Sequence, residues 1–239
     1  MILTVTPNAA LDYTLRLDAL EIGRRAKYRE AAIDPSGKGV NVARMAHRLG
    51  HPAFALAMAG GATGSLLADG LRREGVPHEI VPTAGLTRIN VTLLTGPEGS
   101  ATHLHGPGPA VTPAEIARLR DRVRDRLRDA RMLVLSGSLP PGMSPADLAD
   151  LVRLSREAGV PSLVDAEGAA LAAAVAARCT IVKPNLLEAS EYLGRGSAEA
   201  VGAARELAAR GVETAIVTLG GDGAVGVHAP GVGVALAHD

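Results

Sequence analysis

Tryptophan is absent, phenylalanine occurs once and tyrosine three times, so aromatic residues make up only 2% of the 239 residues. That scarcity excludes an aromatic cage for a quaternary ammonium ligand and a base-stacking platform for single-stranded nucleic acid. The single cysteine, Cys179, excludes an internal disulfide and suits a reducing compartment, the cytoplasm. With 25 basic and 25 acidic side chains the chain has no net charge. It therefore has no overall field to gather polyanions, and neither nucleic acid nor an acidic membrane surface is the expected partner. No run approaches the roughly 20 apolar residues that span a bilayer, the longest candidate being the alanine-rich stretch 169–177. The opening Met-Ile-Leu-Thr-Val-Thr-Pro has no basic segment ahead of an apolar one, so it reads as a strand and not as a secretion signal. What the chain does have is a 47% hydrophobic content with 21% charge, enough to bury the core of one large domain over residues 1–239. A small molecule is the natural class of ligand.

Short aliphatic or β-branched runs recur at 2–6, 53–59, 89–95, 132–136, 162–165, 180–182 and 214–219. Segments with helical spacing lie between most of them, at 40–49, 65–74, 113–130, 145–158 and 198–209. This alternation predicts a mostly parallel sheet with helices on both faces, a three-layer α/β/α sandwich. Thr112-Pro113 with Glu115, and Ser144-Pro145 with Asp147, carry the cap-then-proline signature of a helix start. Gly50, Gly75, Gly159 and Gly211 each stand where a helix should stop. Two further runs, 13–17 and 28–33, come before any helix and predict an antiparallel pair leaving the main sheet, a flap inserted at about residues 12–34.

Four glycine- or polar-rich turns stand out. Pro35-Ser36-Gly37-Lys38-Gly39-Val40-Asn41 runs into a helix, whose free N–H groups and positive dipole end favour an anion or a hydroxyl-rich ligand, with Lys38 adding charge. A nucleotide P-loop is excluded, because Gly39 and not Ser or Thr follows the lysine. Ser136-Gly137-Ser138-Leu139-Pro140-Pro141-Gly142 follows a strand, the position at which open α/β sheets bind ligands. In Lys183-Pro184-Asn185-Leu186-Leu187-Glu188 the three-residue spacing sets Asn185 and Glu188 on one helix face, where they could order water around a divalent cation. Thr218-Leu219-Gly220-Gly221-Asp222-Gly223 would let backbone approach phosphate closely. Each turn also has a plain structural reading, as a helix cap, a connection or an Asp-Gly hairpin. His103 and His105 share one strand face, but two imidazoles without a third ligand do not make a metal site. Residues 115–131 hold seven arginines beside four acids and an apolar stripe, an amphipathic solvated helix and not a nucleic-acid surface.

Taken in order, these turns resemble the ribokinase-like sugar kinases of the phosphofructokinase B group, and among them the bacterial 1-phosphofructokinases. The resemblance is carried by Thr4 to Asp12, Ser36 to Arg44, Thr87 to Val91, Gly106 to Pro109, Ser136 to Gly142, Lys183 to Glu188 and Thr218 to Gly223. It implies ATP-dependent phosphorylation of a ketohexose phosphate, fructose 1-phosphate becoming fructose 1,6-bisphosphate. Tagatose 6-phosphate and fructose 6-phosphate are the alternative acceptors, and a sugar-phosphate- or nucleotide-binding remnant of such a kinase is the alternative role. It also implies a homodimer joined through the flap. By the same resemblance Asp12, Gly37 and Asn41 would hold sugar hydroxyls, and Lys38, Arg88 and Ser138 the phosphate already on the sugar. Lys183, Asn185, Thr218, Gly220 and Gly223 would contact ATP, with Asn185 and Glu188 organising Mg2+ and water. The family's Gly-Ala-Gly-Asp element, which carries the proton-accepting aspartate, does not occur in these 239 residues. The expectation is accordingly a C-terminally truncated kinase fold with no catalytic residue assigned.

Overall fold

The computed structural model describes residues 1–96, 100–194, 199–228 and 231–235, with side chains described as far as His228. Its main sheet has nine strands. Toward one edge β1 (Ile2–Thr6) lies between β4 (Ala53–Ala59) and β8 (Met132–Ser136) in parallel register, with β5 (His78–Pro82) outside β4. On the other side come β9 (Ser162–Asp165), β10 (Ile181–Val182) and β11 (Thr214–Thr218), also parallel. An antiparallel meander, β12 (Ala224–His228) and β13 (Gly231–Ala235), completes that edge.

The strand pattern follows from two-sided burial. Leu56 and Met58 enter the larger apolar cluster while Ala55 and Ala57 enter a second one, so β4 is apolar at every position. Small alanines face α1 (Lys38–Arg48) and α2 (Gly61–Arg73), whose Val40, Ala43, Leu67 and Leu71 fill that second cluster. The larger cluster takes Leu119 and Val123 of α3 (Pro113–Leu127), Leu148 and Val152 of α4 (Pro145–Glu157) and Leu171 of α5 (Gly168–Ala176). Both anticipated capping boxes form. Thr112 and Glu115 exchange side chain and backbone hydrogen bonds, as do Ser144 and Asp147. The four helix-stopping glycines all adopt positive φ.

The flap is larger than the sequence suggests. β2 (Ala10–Leu17) and β3 (Tyr28–Ser36) pair antiparallel as expected, but β6 (Arg88–Thr95) joins β2 in parallel and β7 (Ser100–Leu104) joins β6. The run 89–95 therefore belongs to a separate four-stranded sheet and not to the main one. The physical sign is its alternation: Arg88, Asn90 and Thr92 point one way and Ile89, Val91 and Leu93 the other, unlike a strand buried on both faces. Helices α6 (Leu186–Leu193) and α7 (Ala200–Ala209) lie between β10 and β11 in the chain. Among the described residues, no helix is long and apolar enough to cross a membrane.

Candidate active site

The carboxyl ends of the parallel strands lie along one edge of the main sheet, and the loops leaving them carry the polar residues. Asn8 follows β1, Gly137 and Ser138 follow β8, and Ala166 and Glu167 follow β9. With the inward face of the flap these loops enclose a cavity of about 470 Å³. Asp12, Gly37, Lys38, Asn41, Arg88 and Ser138, six residues from four separated segments, all line it.

Each is held by identifiable contacts. The Asp12 carboxylate accepts from Ser36 Oγ at 2.6 Å and from Asn90 Nδ2 at 2.9 Å, so it is pinned from both neighbouring strands. Arg88 donates from Nη1 to the Gly106 carbonyl at 2.8 Å and from Nη2 to the Asn8 carbonyl at 3.0 Å. Burial pushes the Arg88 guanidinium below its ordinary range, and the Asp12 charge partly offsets that. Nε of Arg88 and Oδ1 of Asn90 are buried without a hydrogen-bond partner among the described residues, a deficit that a polar ligand or water joining the network would relieve. Asn8 donates from Nδ2 to Ser138 Oγ at 3.1 Å and to the Pro107 carbonyl at 2.9 Å, tying the β1 loop to the β8 loop.

Gly37, the N-cap of α1, has φ +118, and a Cβ there would lie 2.7 Å from Thr6 Cγ2 and 3.2 Å from Ala9 Cα. Only glycine lets the α1 N-terminus sit this close to β1 and aim its free N–H groups at the cavity.

The second group of residues lies farther along the same edge. Lys183 follows β10, and Asp165, at the end of β9, takes Lys183 Nζ on Oδ2 at 3.1 Å and Lys38 Nζ on Oδ1 at 3.2 Å. One buried carboxylate thus links the cavity to the β10 loop. Thr218 pairs with Asn185 through an isolated parallel bridge, which sets the β11 turn against the start of α6. Gly220 and Gly223, with φ of +64 and +97, bracket a one-turn 3₁₀ helix before β12, so the hairpin reading of this turn is also what forms.

Asn185 and Glu188 form a capping box: Asn185 Oδ1 accepts from the Glu188 amide at 2.8 Å and Glu188 Oε2 accepts from the Asn185 amide at 2.8 Å. The helix-start reading of this pair is therefore realised. It leaves Glu188 Oε1 without a partner among the described residues, a donor set that fits a hydrated cation held through water. Among the described residues no three His, Cys, Asp or Glu side chains cluster as a metal centre, His103 and His105 included.

Sequence reasoning missed Asn8, Asn90, Thr92, Asp165 and Glu167 as site residues. The period-two alternation of Arg88, Asn90 and Thr92 was the available signal for the flap's share. Asp165 carried none, because a carboxylate at a strand end acquires meaning only from the lysines brought to it.

The family model described as pfkB family carbohydrate kinase matches residues 9–238. ATP-dependent 6-phosphofructokinase isozyme 2 of Mycobacterium tuberculosis is 34% identical over 228 residues, which are 94% of this chain and 67% of that protein. The 1-phosphofructokinase of Haloferax volcanii is 37% identical over 229 residues, 94% of this chain and 72% of that one. Phosphofructokinase-2 from Escherichia coli, solved in complex with fructose-6-phosphate, superimposes with a TM-score of 0.91 at 31% identity, covering 98% of this chain and 77–79% of the other when its potassium complex is counted with it.

Proposed function

The chain belongs to the pfkB family of carbohydrate kinases, and from that premise we propose that it transfers the γ-phosphate of ATP to a ketohexose monophosphate, with fructose 1-phosphate as the acceptor. The observation that carries this reading is the convergence of Asp12, Gly37, Lys38, Asn41, Arg88 and Ser138 on one cavity. In it, Asp12, Asn41 and the Gly37 backbone orient the sugar hydroxyls, while Lys38, Arg88 and Ser138 hold the phosphate already present. Two N–H donors in a planar fork suit a phosphate, and a carboxylate suits vicinal hydroxyls.

Lys183, Asn185 and the turn Thr218–Gly223 hold the nucleotide phosphates in this proposal, beside the acceptor cavity. The γ-phosphorus gains a bond to the sugar oxygen as its bond to the β,γ-bridging oxygen breaks, ADP leaving with that electron pair and the hydroxyl proton passing to water, so the groups that hold both phosphates in line supply most of the rate. Asn185 and Glu188 would hold Mg2+ through water, and the bound ion neutralises charge on the β- and γ-phosphates. The Asp165 bridge between Lys38 and Lys183 keeps both cations aimed at the same small volume.

Fructose 6-phosphate and tagatose 6-phosphate are the competing acceptors, since relatives named for position 1 and for position 6 resemble the chain to similar degrees. The test is calorimetric binding and ADP release with all three esters on the 239-residue chain. Saturable turnover is expected with fructose 1-phosphate and is lost in Arg88→Ala. Binding without turnover identifies a chain that holds the acceptor but does not phosphorylate it, and no binding of any ketohexose phosphate overturns the proposal.

The outer face of the flap exposes Ile33, Ile89 and Leu104, an apolar surface that favours pairing of two copies through their flaps. Ile89→Asp should then shift the sedimentation coefficient toward a monomer. The lone buried cysteine fits a cytoplasmic setting.

A further inference from the structure

The flap gives the cavity more than the acceptor residues already described. The alternation that turns Asn90 and Thr92 inward does the same for His103 of β7, and His105, one residue past the end of that strand, lines the cavity with it. Thr92 stands opposite His103 in register, with Oγ1 3.1 Å from His103 Nδ1, which anchors that edge of the ring and leaves Nε2 for another partner. The two rings meet edge to face with centroids 6.0 Å apart. His105 precedes Gly106, the residue whose carbonyl accepts from Arg88, and it also borders the adjoining hollow of about 680 Å³.

The charge around these rings is balanced before any ligand enters. Lys38 of α1 and Arg88 of β6 face Asp12 of β2 and Glu167 at the N-cap of α5, two cations against two carboxylates. Neither cation is fully available: Lys38 already bridges to Asp165 of β9, and both Arg88 Nη atoms are committed to backbone carbonyls. A phosphate monoester brings about −1.5 to −2 charge near neutral pH. The remaining groups on the wall able to add positive charge there are the two imidazoles, the side-chain type that commonly changes charge between pH 5 and 8.

We propose that His103 and His105 are acceptor-binding residues that take up protons as the ester's phosphate enters the cavity, so that sugar-phosphate binding by this chain is coupled to proton uptake. This rests on the sugar-phosphate reading of the cavity. The ester's own titration works in the opposite sense, because the cationic groups that would hold the phosphate, Lys38, Arg88 and the protonated imidazoles, draw the last proton off it. Net uptake therefore identifies the protein as its source.

The experiment is calorimetry of fructose 1-phosphate binding at pH 7.5 in two buffers of different protonation enthalpy, on the wild-type chain, His103→Gln/His105→Gln and Arg88→Ala. Fructose serves as the neutral control. The wild type should take up between about half a proton and one proton, and its affinity should rise as pH falls from 8 to 7, by up to tenfold per unit for one proton bound. The double variant should bind without uptake and with a flatter pH profile. His103 lies on the edge strand β7 and His105 just past its end, both exposed, so the substitutions leave the core untouched, and unfolding curves check this. Histidine C–H proton resonances of the wild type provide a variant-free reading: two of the seven signals should titrate at higher pH when the ester is bound. Ester binding with no uptake, or with equal uptake in the double variant, overturns the inference alone, and its loss in Arg88→Ala then keeps the acceptor reading in place. No binding by the wild type at any pH overturns both.

Discussion

Replacing Gly37 by alanine asks whether the approach of α1 to β1 is as close as the cavity requires. Gly37 combines φ +118 with ψ 138, and an added Cβ would sit 2.7 Å from Thr6 Cγ2. Forcing an L-residue into this region costs about 1–3 kcal/mol. Carbon atoms prefer roughly 3.5–4.0 Å, so the contact forces Thr6 or the helix start to move, at about 1–3 kcal/mol more. The stiffer unfolded chain of the alanine variant returns roughly 0.4–1 kcal/mol. The net expectation is a loss of about 2–5 kcal/mol.

Gly137, on the same cavity, is the matched control. Its φ is +112, but an added Cβ would meet nothing nearer than Lys38 Cβ at 3.7 Å. Gly137→Ala therefore carries only the conformational cost, and the gap between the two variants, about 1–3 kcal/mol, isolates the steric clash. Urea unfolding followed by far-UV circular dichroism reads both midpoints against the wild type. In thermal scans Gly37→Ala should lose roughly 4–20 °C in Tm at about 2–4 °C per kcal/mol for a chain of this size. Equal midpoints for the two variants, within about 0.5 kcal/mol, would refute the reasoning that close packing fixes glycine at 37.

Two further outcomes follow from buried groups away from the cavity. Burial pushes the Glu115 carboxyl up, but hydrogen bonds from the Thr112 and Ala84 amides and the Thr112 hydroxyl, with Arg118 nearby, outweigh it and hold the group below its ordinary range. The fold therefore favours the ionised form. Its stabilisation is complete above the unfolded carboxylate range and fades as pH falls through the lower folded value. Glu115→Ala should cost about 2 kcal/mol at pH 7, and unfolding curves at pH 7 and pH 3 should show that the deficit narrows in acid. A deficit unchanged between the two would exclude an ionised Glu115 as its cause. Burial also raises the Cys179 thiol to about 12, leaving almost no thiolate at pH 8. A colourless disulfide reagent that releases a chromophore should label this residue only after denaturation, and rapid labelling of the folded chain would contradict its burial.

Much of the fold was legible before any coordinates. The caps at Thr112 and Ser144 were readable because a capping box is a contact between residues three apart, fully specified by local sequence. The turns at Gly37 and Ser138 were readable for a similar reason, since glycine after a strand and before a helix has few other uses. Strand β7 and the membership of β6 in the flap were not. A strand's partner is chosen by long-range pairing, and Val91 stands opposite Leu104 only because the chain between them turns back.

The sequence by itself determined the alternation of strands and helices, the polarity of the turns and the residue types able to hold phosphate, because periodicity and local hydrogen bonding act over a few residues. Tertiary structure alone decided that Asp165 would stand between Lys38 and Lys183, and that two imidazoles on and just past an edge strand would line the cavity of Arg88. Those placements depend on the order and register of strands in space, and electrostatic coupling between groups more than a hundred residues apart exists only once packing has brought them within a few ångströms.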